Sequence, residues 1–203
     1  MLASINPLGE RARGTRFART FVWYLAGSIA GGALVGGTLG TLGAGVRSLI
    51  DPTSTAIAIA VVMVCVIGIV LDLGITGVQL PSPRRQVNED WLATYRGWLY
   101  GLGFGFELGL GVVTVVATSA VYVMLVLELL SGTLGAGLAI GATFGATRAL
   151  PLLAVGRVRD PAQLRHALRR ADRLAVGVDR ISRLSVMVLA LTALGVVIAG
   201  GGA

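Results

Sequence analysis

Long apolar stretches separated by clusters of arginine constrain this chain more than any other feature. An α-helix rises about 1.5 Å per residue, so about 20 apolar residues cross the ~30 Å hydrocarbon core of a bilayer. Of the 203 residues, 55% are hydrophobic and only 13% are charged, whereas a soluble domain is about one quarter charged. The sequence therefore predicts an all-α fold: a polytopic transmembrane helix bundle, with residues 1–203 as one integral membrane domain. Five spans are predicted, at about 21–46, 55–80, 98–130, 134–155 and 184–200.

The distribution of arginine predicts how these spans are oriented. Four arginines precede the first span, three lie between the second and third, and eight lie between the fourth and fifth. The other two connections carry only Arg47. Because cytoplasmic loops hold an excess of basic residues, we expect a multi-pass protein of the bacterial inner membrane. Its N-terminus would be cytoplasmic, its C-terminus external, and the lipid bilayer its immediate partner.

The remaining composition argues against several classes of function. The net charge of +7 belongs to arginines that flank apolar stretches, without the interleaved aromatic residues that stack on bases, so no nucleic-acid partner is expected. Cys65 is the single cysteine and His166 the single histidine, so neither a redox pair nor a metal site is predicted. Because no nucleophilic triad or phosphate-binding loop is present either, we expect no enzyme activity and no cofactor.

The arginine-rich segment 157–183 has a helical pattern of its own. Asp160 followed by Pro161 is a typical helix start, and apolar residues then recur at helical spacing with arginines on the other face. Such a helix can lie on the anionic inner leaflet, or it can dock a partner subunit or a second copy of the chain. It can equally be a solvated loop on the cytoplasmic side of the membrane, where basic residues are in excess.

Glycines recur at every fourth position in several spans. This spacing places small residues on one helix face, where two helix backbones can approach closely. We therefore predict that these glycines mediate helix packing. The two ladders with three members each in the third and fourth spans are Gly101, Gly105 and Gly109, and Gly137, Gly141 and Gly145.

Three charged residues lie deep inside predicted spans. Asp72, Glu107 and Arg148 each fall about 11–14 Å from the cytoplasmic end of their helix, at a rise of about 1.5 Å per residue. A lone charge at that depth is costly, whereas an arginine between two carboxylates can satisfy both. Thr114 and Thr118 share the face of Glu107, so the five residues predict a substrate or proton pathway. The alternative is a buried salt-bridge network that only fixes helix packing.

Two segments carry a family resemblance. Residues 85–114, which contain WLYGLGFGFELGLG, and residues 141–151, GATFGATRALP, resemble the CcdA/DsbD transmembrane domain and LysE-type exporters. The likeness lies in glycine–phenylalanine helix entries, a Gly-Leu-Gly kink and short hairpins over about half of the chain. The redox members have a Pro-Cys pair where this chain has Leu110 and Gly111, so no redox residue is carried over.

The resemblance and the buried charges together suggest a membrane transporter or exporter-like protein for a small solute or ion. Two alternatives stay open. One is a non-transporting accessory or scaffold subunit of a membrane complex, and the other is a thiol-redox relay that lacks its own cysteine pair.

Overall fold

A computed structural model describes residues 5–74, 96–111, 118–156 and 158–200. Within these ranges the secondary structure is entirely helical, which confirms the predicted all-α class. The α-helices are α1 (Pro7–Ala12), α2 (Phe17–Ile50), α3 (Ser54–Asp72), α4 (Gly97–Gly109), α5 (Ala120–Ser131), α6 (Leu134–Ala149) and α7 (Pro161–Gly200). A 3₁₀-helix over Leu150–Val155 follows α6, because Pro151 lacks an N–H and disfavours continuation of the α-helix.

Helix α2 is the centre of the bundle. Its 34 residues extend about 51 Å at a rise of about 1.5 Å per residue, and it packs against α4, α5 and α6. It ends at Asp51, whose backbone has a left-handed φ of 44° and whose N–H donates to the carbonyl of Arg47. The helix is glycine-rich, and glycine is a poor helix former in water. Its stability therefore depends on the close packing that the glycines permit.

Helices α3 and α7 form a second layer, in which they pack against each other. Cys65, Val123 and Val186 are buried where α3, α5 and α7 meet. The outer surfaces of the two helices are strongly apolar: Ile59, Met63 and Ile67 on α3 and Leu191 and Ile198 on α7 are among the exposed residues. Apolar surface of this extent suits contact with lipid or with another apolar surface.

Within the part of the chain that the structure describes, four helical segments are long and apolar enough to cross a membrane, namely Phe17–Ile50, Ser54–Asp72, Leu134–Val155 and Arg180–Ala199. Helix α5 is apolar but shorter. The predicted second span extended to residue 80, but α3 ends at Asp72, and residues 75–80 lie outside the described ranges. These segments are compatible with a membrane protein.

The structure divides the stretch that we predicted as one long third span, 98–130. Helix α4 ends at Gly109, and Gly111 adopts a left-handed φ of 76° before α5 begins at Ala120. Glycine adopts this conformation without the steric cost that other residues incur, so Leu110-Gly111 is a suitable helix terminus. The described part of the predicted third span therefore contains two shorter helices, α4 and α5.

At the C-terminal end, residues 161–183 of the arginine-rich segment and the predicted span 184–200 form a single helix. Helix α7 has 40 residues and begins at Pro161, with the Asp160 carboxylate accepting a hydrogen bond from the N–H of Gln163 at 2.8 Å. The segment between arginine cluster and apolar span contains no proline, and its one glycine, Gly177, is tolerated within the helix. Residues Arg165, Arg169, Arg170, Arg173 and Arg180 are exposed.

Candidate functional site

Glycine contacts bring the backbone of α2 against α4 on one side and against α6 on another. A Cβ added to Gly105 or Gly109 of α4 would lie closer than 3.0 Å to carbonyl oxygens of α2. A Cβ added to Gly141 of α6 would lie closer than 3.0 Å to the carbonyl oxygen of Gly32 on α2. A Cβ added to Gly32 would lie equally close to the carbonyl oxygen of Gly141. Such distances are incompatible with any side chain larger than hydrogen. We call the α2–α6 contact the glycine seam.

The two ladders singled out in the sequence occupy these contacts as follows. Gly101, Gly105 and Gly109 face α2 from α4, and Gly137, Gly141 and Gly145 face α2 from α6. One side-chain hydrogen bond supplements the seam: the buried Ser28 Oγ donates to the carbonyl of Gly145 at 2.7 Å. Hydrogen bonds of this kind between helices add to van der Waals packing in an apolar environment.

The carboxyl group of Glu128 lies at the glycine seam. Its side chain projects from α5, is fully buried, and has both oxygens without a hydrogen-bond partner among the described residues. Oε1 would lie 2.9 Å from a Cβ added to Gly36 and 3.0 Å from one added to Gly141. The small glycines of α2 and α6 therefore leave the space that this carboxyl group fills.

Asp72 lies beside the start of α5. Its carboxylate accepts a hydrogen bond from the backbone N–H of Ser119 at 2.7 Å and from the Ser119 Oγ at 2.8 Å. Ser119 immediately precedes α5, and the first N–H groups of a helix lack partners within the helix. A carboxylate satisfies them and interacts favourably with the positive end of the helix dipole.

Two arginines lie at helix C-termini, where the dipole favours positive charge. Arg148 donates to the carbonyl of Gly111, just beyond α4, at 3.2 Å, and its guanidinium lies 5.3 Å from the centre of the Phe144 ring. Arg47 donates to the carbonyl of Leu130 near the end of α5. Each arginine therefore supplies a hydrogen-bond donor to a helix end inside the bundle.

The structure describes four of the five predicted pathway residues. Asp72 accepts hydrogen bonds from Ser119, and Arg148 donates one to the carbonyl of Gly111. Glu107 is half-buried on α4, and Thr118 is half-buried just before α5. Thr114 lies outside the described residues. The structure thus gives Asp72 and Arg148 backbone partners at helix ends, and a common cluster with Glu107 stays a prediction.

A second buried carboxylate, Glu10, has the opposite surroundings from Glu128. Glu10 is fully buried and accepts hydrogen bonds from Thr15 (2.5 Å), Thr20 (2.6 Å), Arg13 (2.9 Å) and Tyr100. Burial by itself raises the pKa of Glu10, but the four hydrogen bonds together hold it below its usual value. The same contact with Glu10 raises the pKa of Arg13 against the opposing effect of burial. Glu10 therefore ties α1 to the starts of α2 and α4.

Sequence reasoning missed both of these carboxylates, although each had a detectable signal. Glu128 lies in an apolar run that was assigned to a span, so the cost of a charge in lipid applied to it as much as to Glu107. Glu10 is the acidic residue in a basic segment that precedes the first span. We used that segment only for the contribution of its arginines to the predicted orientation. Neither the hydrogen-bond partners of Glu10 nor the surroundings of Glu128 could be predicted from spacing along the chain.

The described residues contain no group of three or more His, Cys, Asp or Glu side chains that could hold a metal ion. Cys65 is buried against valines.

Comparison with known proteins finds relatives called methylamine utilization protein MauF. The chain is 32% identical to MauF of Methylophilus methylotrophus over 156 residues. This match covers 74% of the chain and 53% of the relative. It is 30% identical over 157 residues to MauF of Paracoccus denitrificans (74% and 55%) and 28% identical over 155 residues to MauF of Paracoccus versutus (74% and 55%). No protein-family model and no solved structure matches the chain.

These relatives correct two predictions. The resemblance to the CcdA/DsbD domain and to LysE-type exporters was wrong, because the relatives are MauF proteins. The transporter or exporter function was wrong for the same reason, and the relatives' name favours the redox relay no more than transport. Glycine-rich helix entries and short hairpins arise from close packing in any helix bundle, so they identify no family. The chain spans about half the length of the curated relatives that it matches and is similar to MauF over that part.

Proposed function

We propose that this chain is a membrane-integral accessory protein of methylamine utilization. The observation that carries the proposal is the similarity to MauF proteins over about three quarters of the chain, at up to 32% identity among the relatives described. Methylamine utilization is what the name of those relatives states, and the chain spans about half of their length. The role proposed for this chain is therefore that of a component which supports the process, without enzymatic activity of its own.

The placement of the charged side chains supports an accessory role. Asp72, Arg148 and Arg47 contact backbone groups at helix ends, where they stabilise the bundle. A group engaged in this way contributes to the shape of the protein. This use of charge is what a scaffold in the membrane requires.

We further propose that the protein crosses the bacterial inner membrane several times with a cytoplasmic N-terminus. The five proposed crossings are α2, α3, α4 together with α5, α6, and the apolar half of α7. The four long apolar helices and the exposed arginines in the first half of α7 support this arrangement, because basic segments are retained on the cytoplasmic side. In this orientation the arginine-rich part of α7 faces the cytoplasm, where it can meet anionic lipid, a partner subunit or a second copy of the chain.

Reporter fusions test the orientation. A reporter that is active only outside the cytoplasm, fused after residue 203, should be active, whereas a cytoplasmic reporter at the same position should be silent. The same pair fused after Arg159 should give the reverse result, because α7 would separate the two positions by one crossing. Equal activity at both positions would contradict a membrane-crossing α7.

Deletion of the gene tests the function. In the bacterium that encodes this chain, the deletion strain should fail to grow, or grow much more slowly, with methylamine as the sole carbon and nitrogen source. Growth on succinate and ammonium should be unchanged, and a plasmid copy of the gene should restore growth on methylamine. Unimpaired growth of the deletion strain on methylamine, or a parent strain that cannot use methylamine, would contradict the proposal.

A further inference from the structure

Glu128 differs from the other carboxylates that the structure describes in being buried without a partner. Its side chain is fully buried, and neither oxygen has a hydrogen-bond partner among the described residues. The carboxyl group is directed at the glycine seam, with Oε1 at 2.9 Å from the Cβ position of Gly36 and 3.0 Å from that of Gly141. It is enclosed by helix backbones that already make their own hydrogen bonds.

Among the described residues, no charged group on the neighbouring helices forms an ion pair with Glu128. On α2, Arg47 donates to the carbonyl of Leu130, and on α6, Arg148 donates to that of Gly111. On α3, Asp72 accepts from Ser119. On α7, Arg180 is exposed and Arg183 half-buried. Between described residues, no ion pair involves Glu128, so no recorded contact compensates a negative charge there.

Glu10 provides an internal comparison. Both side chains are fully buried glutamates, but Glu10 accepts four hydrogen bonds, including one from an arginine. Hydrogen bonds and a positive neighbour stabilise an ionised carboxylate, whereas burial without either strongly disfavours it. The two environments therefore favour opposite protonation states for the same side chain.

We propose that Glu128 is an intramembrane proton-binding site whose occupied, neutral state closes the glycine seam between α2 and α6. The ligand is a proton on the Glu128 carboxyl group. With the proton bound, the group can lie against the two glycine backbones without an uncompensated charge. Loss of the proton would place a charge between α2 and α6, and the seam would have to open to admit water or a cation. This inference rests on the geometry of the seam and is independent of the proposed role in methylamine utilization.

Infrared spectroscopy of the purified protein in lipid at neutral pH tests this proposal. A protonated carboxylic acid absorbs above the amide I band, well separated from an ionised carboxylate, and its band shifts in D₂O. The wild-type protein should show this band, and Glu128→Gln should lack it. Matched controls are Glu107→Gln, at a half-buried glutamate on α4, and Glu10→Gln, at the hydrogen-bonded buried glutamate. Both should retain the full band.

Three results would overturn the proposal: no such band in the wild-type protein, an undiminished band in Glu128→Gln, or loss of the band in Glu10→Gln or Glu107→Gln instead. If Glu128→Gln does not accumulate, the wild-type band can be assigned with dicyclohexylcarbodiimide. In that reaction the carboxyl proton moves to a carbodiimide nitrogen while the carboxyl oxygen bonds to the central carbon. An acyl shift to nitrogen then leaves a stable adduct without a leaving group. A label mapped to Glu128 by mass spectrometry, with loss of the band, supports the proposal, and a band that persists or a label found only elsewhere contradicts it.

Discussion

Replacement of Gly36 by alanine should open the glycine seam. A Cβ at this position would lie closer than 3.0 Å to the backbone carbonyl of Gly137 and 2.9 Å from Oε1 of Glu128. The carbonyl belongs to a helix backbone and cannot rotate away, so α2 and α6 must separate. Overpacking of this kind costs about 1–3 kcal/mol, and the intrinsic preference of alanine for helix returns about 0.5–1 kcal/mol. We therefore expect a net loss of stability of about 0–2.5 kcal/mol relative to wild type.

Gly45→Ala is the matched control, because it lies on the same helix and an added Cβ there would meet nothing within 4 Å. It should leave stability unchanged or raise it by up to about 1 kcal/mol. The assay is reversible unfolding in mixed micelles as the fraction of denaturing detergent increases, followed by circular dichroism. Equal stability of Gly36→Ala and Gly45→Ala, or an equal loss of stability in both, would show that a Cβ at position 36 does not strain the glycine seam.

Three further predictions concern the polar side chains. Because the pKa of Glu10 in the folded protein lies below its usual value of 4.5, its contribution to stability is complete above pH 4.5 and is lost as the pH falls through the folded value. Wild-type protein should therefore lose stability on acidification more steeply than Glu10→Gln, and parallel acid titrations of the two would argue against this. Asp72→Ala removes two hydrogen bonds at the start of α5 and should cost about 0.5–2 kcal/mol, with Asp72→Asn, which keeps one acceptor, losing less. An Asp72→Ala protein as stable as wild type in the same assay would contradict that assignment. Cys65→Ser should leave folding and growth on methylamine unchanged, since the thiol is buried and has no second cysteine with which to cycle, and a disulfide trapped between Cys65 and another protein would disprove this.

The helical class was predictable because it depends on the length and apolar composition of continuous stretches, which can be read directly from the sequence. Apolar stretches long enough to cross a bilayer must satisfy their backbone hydrogen bonds internally, and helices do so. The position of helix breaks was harder to predict. Gly111 is one of several closely spaced glycines, and their spacing alone does not say which of them adopts a left-handed φ, as Gly111 does at 76°. The composition of residues 98–130 alone therefore favoured one long helix.

The candidate site was predicted less well, because it depends on which helices are neighbours. Glycine spacing indicates which face of a helix permits close approach, but it does not say that α2 lies between α4 and α6. Depth along a span predicted that Arg148 would meet carboxylates, which stays a prediction, and the structure adds a contact that was not predicted, with a backbone carbonyl at the end of α4. A helix end inside the bundle offers a hydrogen-bonding partner that depth counting does not include. Glu128 was missed because its significance comes from what surrounds it.

The most direct test of the account is the rate of growth on methylamine of the deletion strain carrying three plasmid versions of the gene. Wild type and Gly45→Ala should restore growth, whereas Gly36→Ala, which disturbs the seam at Glu128, should restore less or none. All three strains should grow equally on succinate and ammonium. If methylamine-dependent growth were the same with and without the wild-type copy, the proposed function would be contradicted. If Gly36→Ala restored growth as fully as Gly45→Ala, the seam would not be part of that function.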